Sequence, residues 1–153
     1  FSNQETGNKF MIKLKIGIQH GSCVDFNGKG LLILGAPRSG KSSLSIACMS
    51  IGATLVGDDY INLNVCDNRI IATSPPNIMG KIEISKVGIL NCDYTKNTNI
   101  DLVINLSEVE KIRFPKRRFI NLDSCNVPLI YGGNIPNLHS VAMQFFKKGF
   151  AAE

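Results

Sequence analysis

Between Ile12 and Ile18 the chain alternates apolar and polar residues, with Ile12, Leu14, Ile16 and Ile18 sharing one side. That period of two predicts a half-buried strand. Past His20-Gly21, the segment SCVDF (Ser22 to Phe26) runs into Asn27-Gly28, two residues that tolerate positive φ and predict a hairpin turn. The returning run Leu31–Leu34 is apolar throughout, as expected of a central strand covered on both faces. The period then changes. Leu44, Ala47, Cys48 and Ile51 fall at i, i+3, i+4 and i+7, which predicts a short helix stopped by Gly52.

Leu55-Val56 reads as a second buried strand that ends at the adjacent acids Asp58-Asp59. Ile61, Leu63 and Val65 then recur every second residue. With a turn at Cys66-Asp67-Asn68 and a return over Arg69–Thr73, they predict another hairpin. Pro75-Pro76 punctuates the chain before Ile78–Leu90, and Asp101–Leu106 is a further strand candidate. Lys111–Arg118, KIRFPKRR, is basic and broken by proline, hence a loop. Pro136-Asn137 opens the last element, with Asn137 as N-cap, Leu138, Val141, Ala142 and Phe145 as its stripe, and Lys147-Lys148 before Gly149. The fold class these elements imply is α/β: a mixed, hairpin-containing sheet with a short helix after a glycine-rich loop and a C-terminal helix packed against it. One domain over residues 12–148 is expected, with the polar residues 1–11 as a flexible tail.

Composition narrows the setting. At 153 residues and 44% hydrophobic, the chain is long enough for one substantial core. Its apolar runs are too short to span a bilayer and no signal peptide is evident, so a cytoplasmic location without a membrane partner is expected. The five cysteines form no C-x-x-C pair, which argues against a zinc site or a disulfide framework. The net charge of +5 suits phosphate-bearing partners, but no aromatic-and-basic signature points to nucleic acid.

The stretch GAPRSGKS, from Gly35 through Ala36, Pro37, Arg38, Ser39, Gly40 and Lys41 to Ser42, matches G-x-x-x-x-G-K-S in full. With Ser43 it forms the candidate nucleotide-binding loop. Its glycines let backbone N–H groups turn inward around phosphate, and the following helix adds the positive end of its dipole. Lys41 reaches the terminal phosphate oxygens, and the Ser42 hydroxyl is suited to Mg²⁺. A buried strand before and a periodic helix after supply the right context. The loop does not name a reaction, since GTPases, ATPases and several kinds of kinase share it. No N/T-K-x-D motif for guanine is present.

The loop, the short helix, the stretch GATLVGDD (Gly52 to Asp59) and the upstream His20-Gly21 together resemble the HPr kinase/phosphorylase family. The resemblance runs from about Ile12 to Phe146, and the segment SPPNIMGKIEISKVGIL is similar to the compact single-domain branch. It implies ATP- and Mg²⁺-dependent phosphorylation of a serine in the phosphocarrier protein HPr, with reverse phosphorolysis of phospho-HPr. It also implies exchange of phosphate and pyrophosphate, and assembly as a homo-oligomer, hexameric in the family.

By the same resemblance Asp59 is the catalytic carboxylate, base in one direction and acid in the other. His20 is the neighbouring histidine: neutral, it would orient that acid; charged, it would stabilise phosphate. Lys41 neutralises phosphate, Ser42 and Glu83 hold Mg²⁺, and Arg113 is the catalytic arginine, with Arg117 and Arg118 close in sequence. One departure stands out. Where the family pattern reads E-x-R-G, this chain has Glu83-Ile84-Ser85-Lys86. A serine there removes a guanidinium that would bind phosphate or carboxylate in bidentate fashion. Two other readings stay open: an ATP-binding regulatory module with little turnover, and a P-loop kinase acting on a small metabolite.

Overall fold

The computed structural model describes residues 12–152, so the tail expected over residues 1–11 lies outside the described part. Of the opening alternating run only Gly17–His20 forms a strand, β1, paired antiparallel with Tyr60–Leu63. The expected strand over Ile12–Ile18 is corrected in extent and in sense. Leu14 is buried, but Ile16 and Ile18 are half exposed while Gln19 is 6% exposed. A period of two gives the alternation and not the face that is covered. As the end strand of the sheet, β1 leaves Ile18 uncovered, and the Gln19 side-chain oxygen accepts the Lys15 N–H at 3.3 Å.

The hairpin at Asn27-Gly28 forms as read, with both residues at positive φ (53° and 92°). It joins β2 (Ser22–Phe26) to β3 (Lys29–Leu34). After the glycine-rich loop come α1 (Lys41–Ser50) and β4 (Thr54–Gly57), and then the second hairpin, β5 (Tyr60–Cys66) and β6 (Arg69–Thr73). A 3₁₀ turn at Pro76–Ile78 leads into a small separate hairpin, β7 (Lys81–Ile84) and β8 (Gly88–Asn91). The strand expected at Asp101–Leu106 is β9, running over Asn97–Asn105. The sequence pattern did not reveal β10 (Arg118–Leu122) and β11 (Cys125–Tyr131), a hairpin whose β11 joins β9 in parallel. The chain closes with α2 (Leu138–Lys148).

The main sheet has nine strands, ordered β1-β5-β6-β9-β3-β2-β4, with β11 and β10 attached through the C-terminal half of β9. Only β3–β9 and β9–β11 pair in parallel, so the sheet is mixed, as expected. Leu31 to Leu34 are each fully buried, contributing roughly 1.5–3 kcal/mol apiece. Alternate residues of β3 feed two cores. Leu32 and Leu34 pack with Ile61, Leu63 and Val103, whereas Leu31 and Ile33 pack with Leu44, Cys48, Ala142 and Phe146 of the two helices. Both helices therefore sit on one face.

Details of both helices differ from the pattern. Leu44 and Cys48 are buried as expected, but Ile51 lies past the end of α1 and is 37% exposed, and Ser45 is fully buried. In α2 the buried set is Leu138, Ala142 and Phe146, whereas Val141 is 39% exposed. Asn137 precedes α2 in a left-handed conformation and makes no side-chain cap. At the other end Gly149 closes the helix through its N–H to the Phe145 carbonyl, and the Lys29 ammonium donates to the Phe146 carbonyl at 2.8 Å. All five cysteines are free, and burial pushes the Cys48 thiol up to about 12. No helix among the described residues is long and apolar enough to cross a membrane.

Candidate functional site

Parallel pairing brings the carboxyl ends of β3, β9 and β11 together, where doubly wound sheets bind ligands. The glycine-rich loop leaves β3 there and is fastened to its neighbours. The Leu106 N–H donates to the Leu34 carbonyl at 2.8 Å, and the Ala36 N–H to the Ser107 hydroxyl at 2.7 Å. Gly35 is the residue this turn requires, because a Cβ there would collide with the Ser39 side chain and crowd Leu106. Gly40 enters α1 at φ 104°. No side chain caps the helix and no acid lies in its first turn, so its leading N–H groups and positive dipole end remain for an anion.

A cavity of about 550 Å³ opens over this loop, lined among others by His20, Ser22, Arg38, Lys41, Ser42, Asp58, Asp59, Glu83 and Ser85. Lys41 is 8% exposed, and its ammonium donates to the carbonyls of Gly35 (2.9 Å) and Ala36 (3.0 Å). Burial lowers its pKa, while Asp59 and then Asp58 pull it back up. The Ser39 hydroxyl oxygen is buried inside the loop with no hydrogen-bond partner. The uncapped start of α1, an orphaned hydroxyl in the loop and a buried lysine fit a polyphosphate.

The two acids have different surroundings. Asp58 is 9% exposed; its Oδ1 accepts the hydroxyls of Ser22 and Ser42, each at 2.9 Å, and its Oδ2 accepts the Glu83 N–H at 3.2 Å. Asp59 follows in a left-handed conformation (φ 73°), and its Oδ1 meets His20 Nε2 at 3.0 Å, with side chains 61% and 41% exposed. Tyr60 packs edge-on against the His20 ring, with centroids 5.2 Å apart. Asp58 thus fastens α1 to the hairpin of β7 and β8, while Asp59 faces the open cavity.

The cation question turns on oxygen donors. Ser42 Oγ and Asp58 Oδ1 are adjacent and Glu83 lines the same cavity, a hard-donor set suited to Mg²⁺. Among the described residues no three His, Cys, Asp or Glu side chains cluster around one point. The protein would therefore supply only part of a coordination shell, the usual arrangement when phosphate and water complete it.

Of the residues singled out from sequence, His20, Pro37, Arg38, Gly40, Lys41, Ser42, Ser43, Asp59 and Glu83 line this cavity, and Gly35, Ala36 and Ser39 belong to the loop beneath it. Arg113 does not. Its guanidinium lies 4.9 Å from the Phe114 ring centroid in a second cleft of about 510 Å³, together with Arg117, Tyr131 and Phe150. Arg118 in that cleft is held by Glu110 through two hydrogen bonds, at 2.8 and 3.0 Å. The sequence pattern missed Ser22 and Ser107, and it singled out Asp58 only as the acid adjacent to Asp59. No periodicity or motif singles out the two serines, whose partners are far away along the chain.

The sequence model of the HPr Serine kinase C-terminal domain matches residues 15–148. The HPr kinase/phosphorylase of Lachnoclostridium phytofermentans is 34% identical over an alignment of 125 residues that covers 71% of this chain and 40% of that protein. One from a Thermoanaerobacter species is 33% identical over 106 residues, covering 64% and 35%. The chain therefore spans well under half the length of these relatives. Among solved structures, the Hpr(Ser) kinase/phosphatase from Coxiella burnetii superposes with a TM-score of 0.73 at 27% identity, over 85% of this chain and 93% of that one.

Proposed function

The chain belongs to the family of the HPr serine kinase C-terminal domain, and from that premise we propose that its P-loop site moves the terminal phosphoryl group of ATP to a serine hydroxyl of HPr. Phosphorolysis of the phosphoserine would use the same residues in reverse. The observation that carries the reading is the position of Asp59: a largely exposed carboxylate held by His20 at 3.0 Å in the same cavity as Lys41. Phosphoryl transfer asks little covalent chemistry of a protein. It needs positioning, charge neutralisation and a group to receive the hydroxyl proton.

Each side chain has a task on this reading. The loop N–H groups and the start of α1 cradle the phosphates, and Lys41 neutralises charge on the transferred group. Asp59 accepts the serine proton in the forward direction and returns it in reverse, with His20 orienting the carboxylate. Mg²⁺, when bound, offsets charge on the phosphate oxygens, and Ser42, Asp58 and Glu83 would hold it. Arg113 is given no step, because its guanidinium is stacked on Phe114 in another cleft. Action on a phosphocarrier protein as a homo-oligomer in the cytoplasm completes the proposal.

Ser85 favours a second reading. It lines the cavity where the resemblance calls for arginine, as it would in an ATP-binding module with little turnover. Incubation with terminally labelled ATP, Mg²⁺ and HPr separates the two. Label on an HPr serine that vanishes in Asp59→Asn supports the kinase. ATP binding without transfer supports the module, and label on a small metabolite instead overturns the protein-kinase assignment.

A further inference from the structure

Three consecutive residues hold Asp59 by three different groups. The His20 imidazole pairs with its carboxylate at 3.0 Å, the Gly21 N–H donates to its carbonyl at 2.9 Å, and the Ser22 hydroxyl accepts from its N–H at 3.5 Å. The same Ser22 hydroxyl donates its proton to Asp58 Oδ1 at 2.9 Å. Ser22 is fully buried at the start of β2 and reaches the wall of the cavity. Among the described residues it is the one side chain that hydrogen-bonds to both acids.

The backbone makes this contact possible. The pairing of β2 with β4 shifts register between Cys23 and Val24, so that Cys23 faces Gly57 while Val24 faces Leu55. Such a bulge bends a strand and re-aims the residues beyond it. Here it brings Asp58-Asp59 beside Ser22. Asp59 then sits at φ 73°, a conformation that a non-glycine residue keeps only when its surroundings hold it there. The Tyr60 N–H, which donates to the Asp58 carbonyl at 2.9 Å across Asp59, closes the turn, and the Gly21 N–H and the Ser22 hydroxyl hold it from β2. If the Asp59 peptide relaxed to an extended conformation, its side chain would swing away from His20.

We infer that Ser22 is a positioning residue for phosphoryl transfer: by bonding Asp58 and the Asp59 peptide at once, it holds Asp59 in the left-handed turn that aims its carboxylate. This rests on the reading of Asp59 as the proton-accepting group. On this reading Ser22 takes no step of its own; it acts through Asp59. Asp58 retains the Ser42 hydroxyl and the Glu83 N–H when the Ser22 hydroxyl is removed, so the fold and the nucleotide loop keep their anchor.

The test is a pair of variants. Ser22→Ala should lower kcat for transfer to HPr about tenfold, with KM for ATP and for HPr within twofold of wild type. Ser22→Thr, which keeps the hydroxyl, should restore it. In parallel, NMR of the unliganded protein follows the Asp59 amide and the His20 imidazole, which should both shift in Ser22→Ala and stay near wild type in Ser22→Thr. A lowered melting midpoint with unchanged kcat and unchanged resonances would make Ser22 a structural hydroxyl only and overturn the inference. So would a raised KM for ATP at constant kcat, since Ser22 would then act through Asp58 and Ser42. If the wild-type protein labels no HPr, the kinase reading fails on its own. The NMR comparison still decides whether Ser22 sets the geometry of Asp59, and unchanged resonances there overturn it. Should Ser22→Thr not fold, Ser22→Ala decides through the same kinetics and resonances.

Discussion

The hydroxyl of Ser42 donates to Asp58 Oδ1 at 2.9 Å, tying the first turn of α1 to the end of β4. Because Asp58 also accepts from Ser22 and from the Glu83 N–H, Asp58→Ala strips three donors of their acceptor at once. Unsatisfied buried groups cost about 1–3 kcal/mol each, less whatever water recovers in an open cavity. Urea unfolding of Asp58→Ala should show a loss of about 2–3 kcal/mol, and phosphoryl transfer should fall below detection.

His20 and Asp59 form the opposite case. Their side chains are 41% and 61% exposed, and an ion pair so open to solvent adds little stability. His20→Ala should leave the melting midpoint where it was. It should still reduce kcat, by on the order of tenfold, as an orienting share of a general-base effect of about a hundredfold or more. Steady-state kinetics beside a thermal melt reads both numbers.

Lys86 forms the β7–β8 turn at φ 68°, and Ser85 before it lines the cavity. At these two positions the family pattern has arginine and glycine. Glycine adopts the left-handed conformation without strain, so Lys86→Gly should stabilise the protein by about 0.5 kcal/mol, measured as a shift in urea midpoint. Ser85→Arg restores a bidentate phosphate donor at the cavity wall and should raise the rate of transfer to HPr several-fold. An unchanged rate would show that the missing guanidinium does not limit turnover.

Asp101 gives a pH test remote from the site. Burial raises its pKa above the usual carboxylate value, and Arg69 and Lys29 only partly offset this. Between its unfolded and folded pKa the native state binds more protons than the unfolded chain, so the contribution of Asp101 falls as pH rises through that window. Asp101→Asn should therefore match wild type at pH values below the unfolded carboxylate pKa and exceed it in stability at neutral pH. Urea midpoints across that range provide the check.

Much of this was legible in the chain. Asn27-Gly28, Leu31–Leu34 and the GAPRSGKS loop each carry their conformation locally, through positive-φ residues, an unbroken apolar run and glycines around phosphate donors. The hairpin of β10 and β11 was hidden because only Leu122, Cys125 and Val127 are buried while the apolar Phe119 is exposed, so its alternation is weak, and Pro128 lies within it. The inverted β1 was hidden for a different reason: period two is the same whichever face is buried.

The residues that stand ready for chemistry are plain from the order of amino acids: a phosphate loop, a lysine, a hydroxyl and two acids in a row. Local rules of backbone freedom and hydrophobic period are enough for that. Which groups hold each of the two acids came from the tertiary fold alone. A register shift between β2 and β4 carries them to Ser22, and the packing of α1 puts Ser42 against Asp58 while His20 takes Asp59. The fold also set Arg113 in a separate cleft, away from the loop it was expected to serve. Those outcomes depend on contacts between residues far apart in the chain, and such contacts exist only once the sheet has closed around its core.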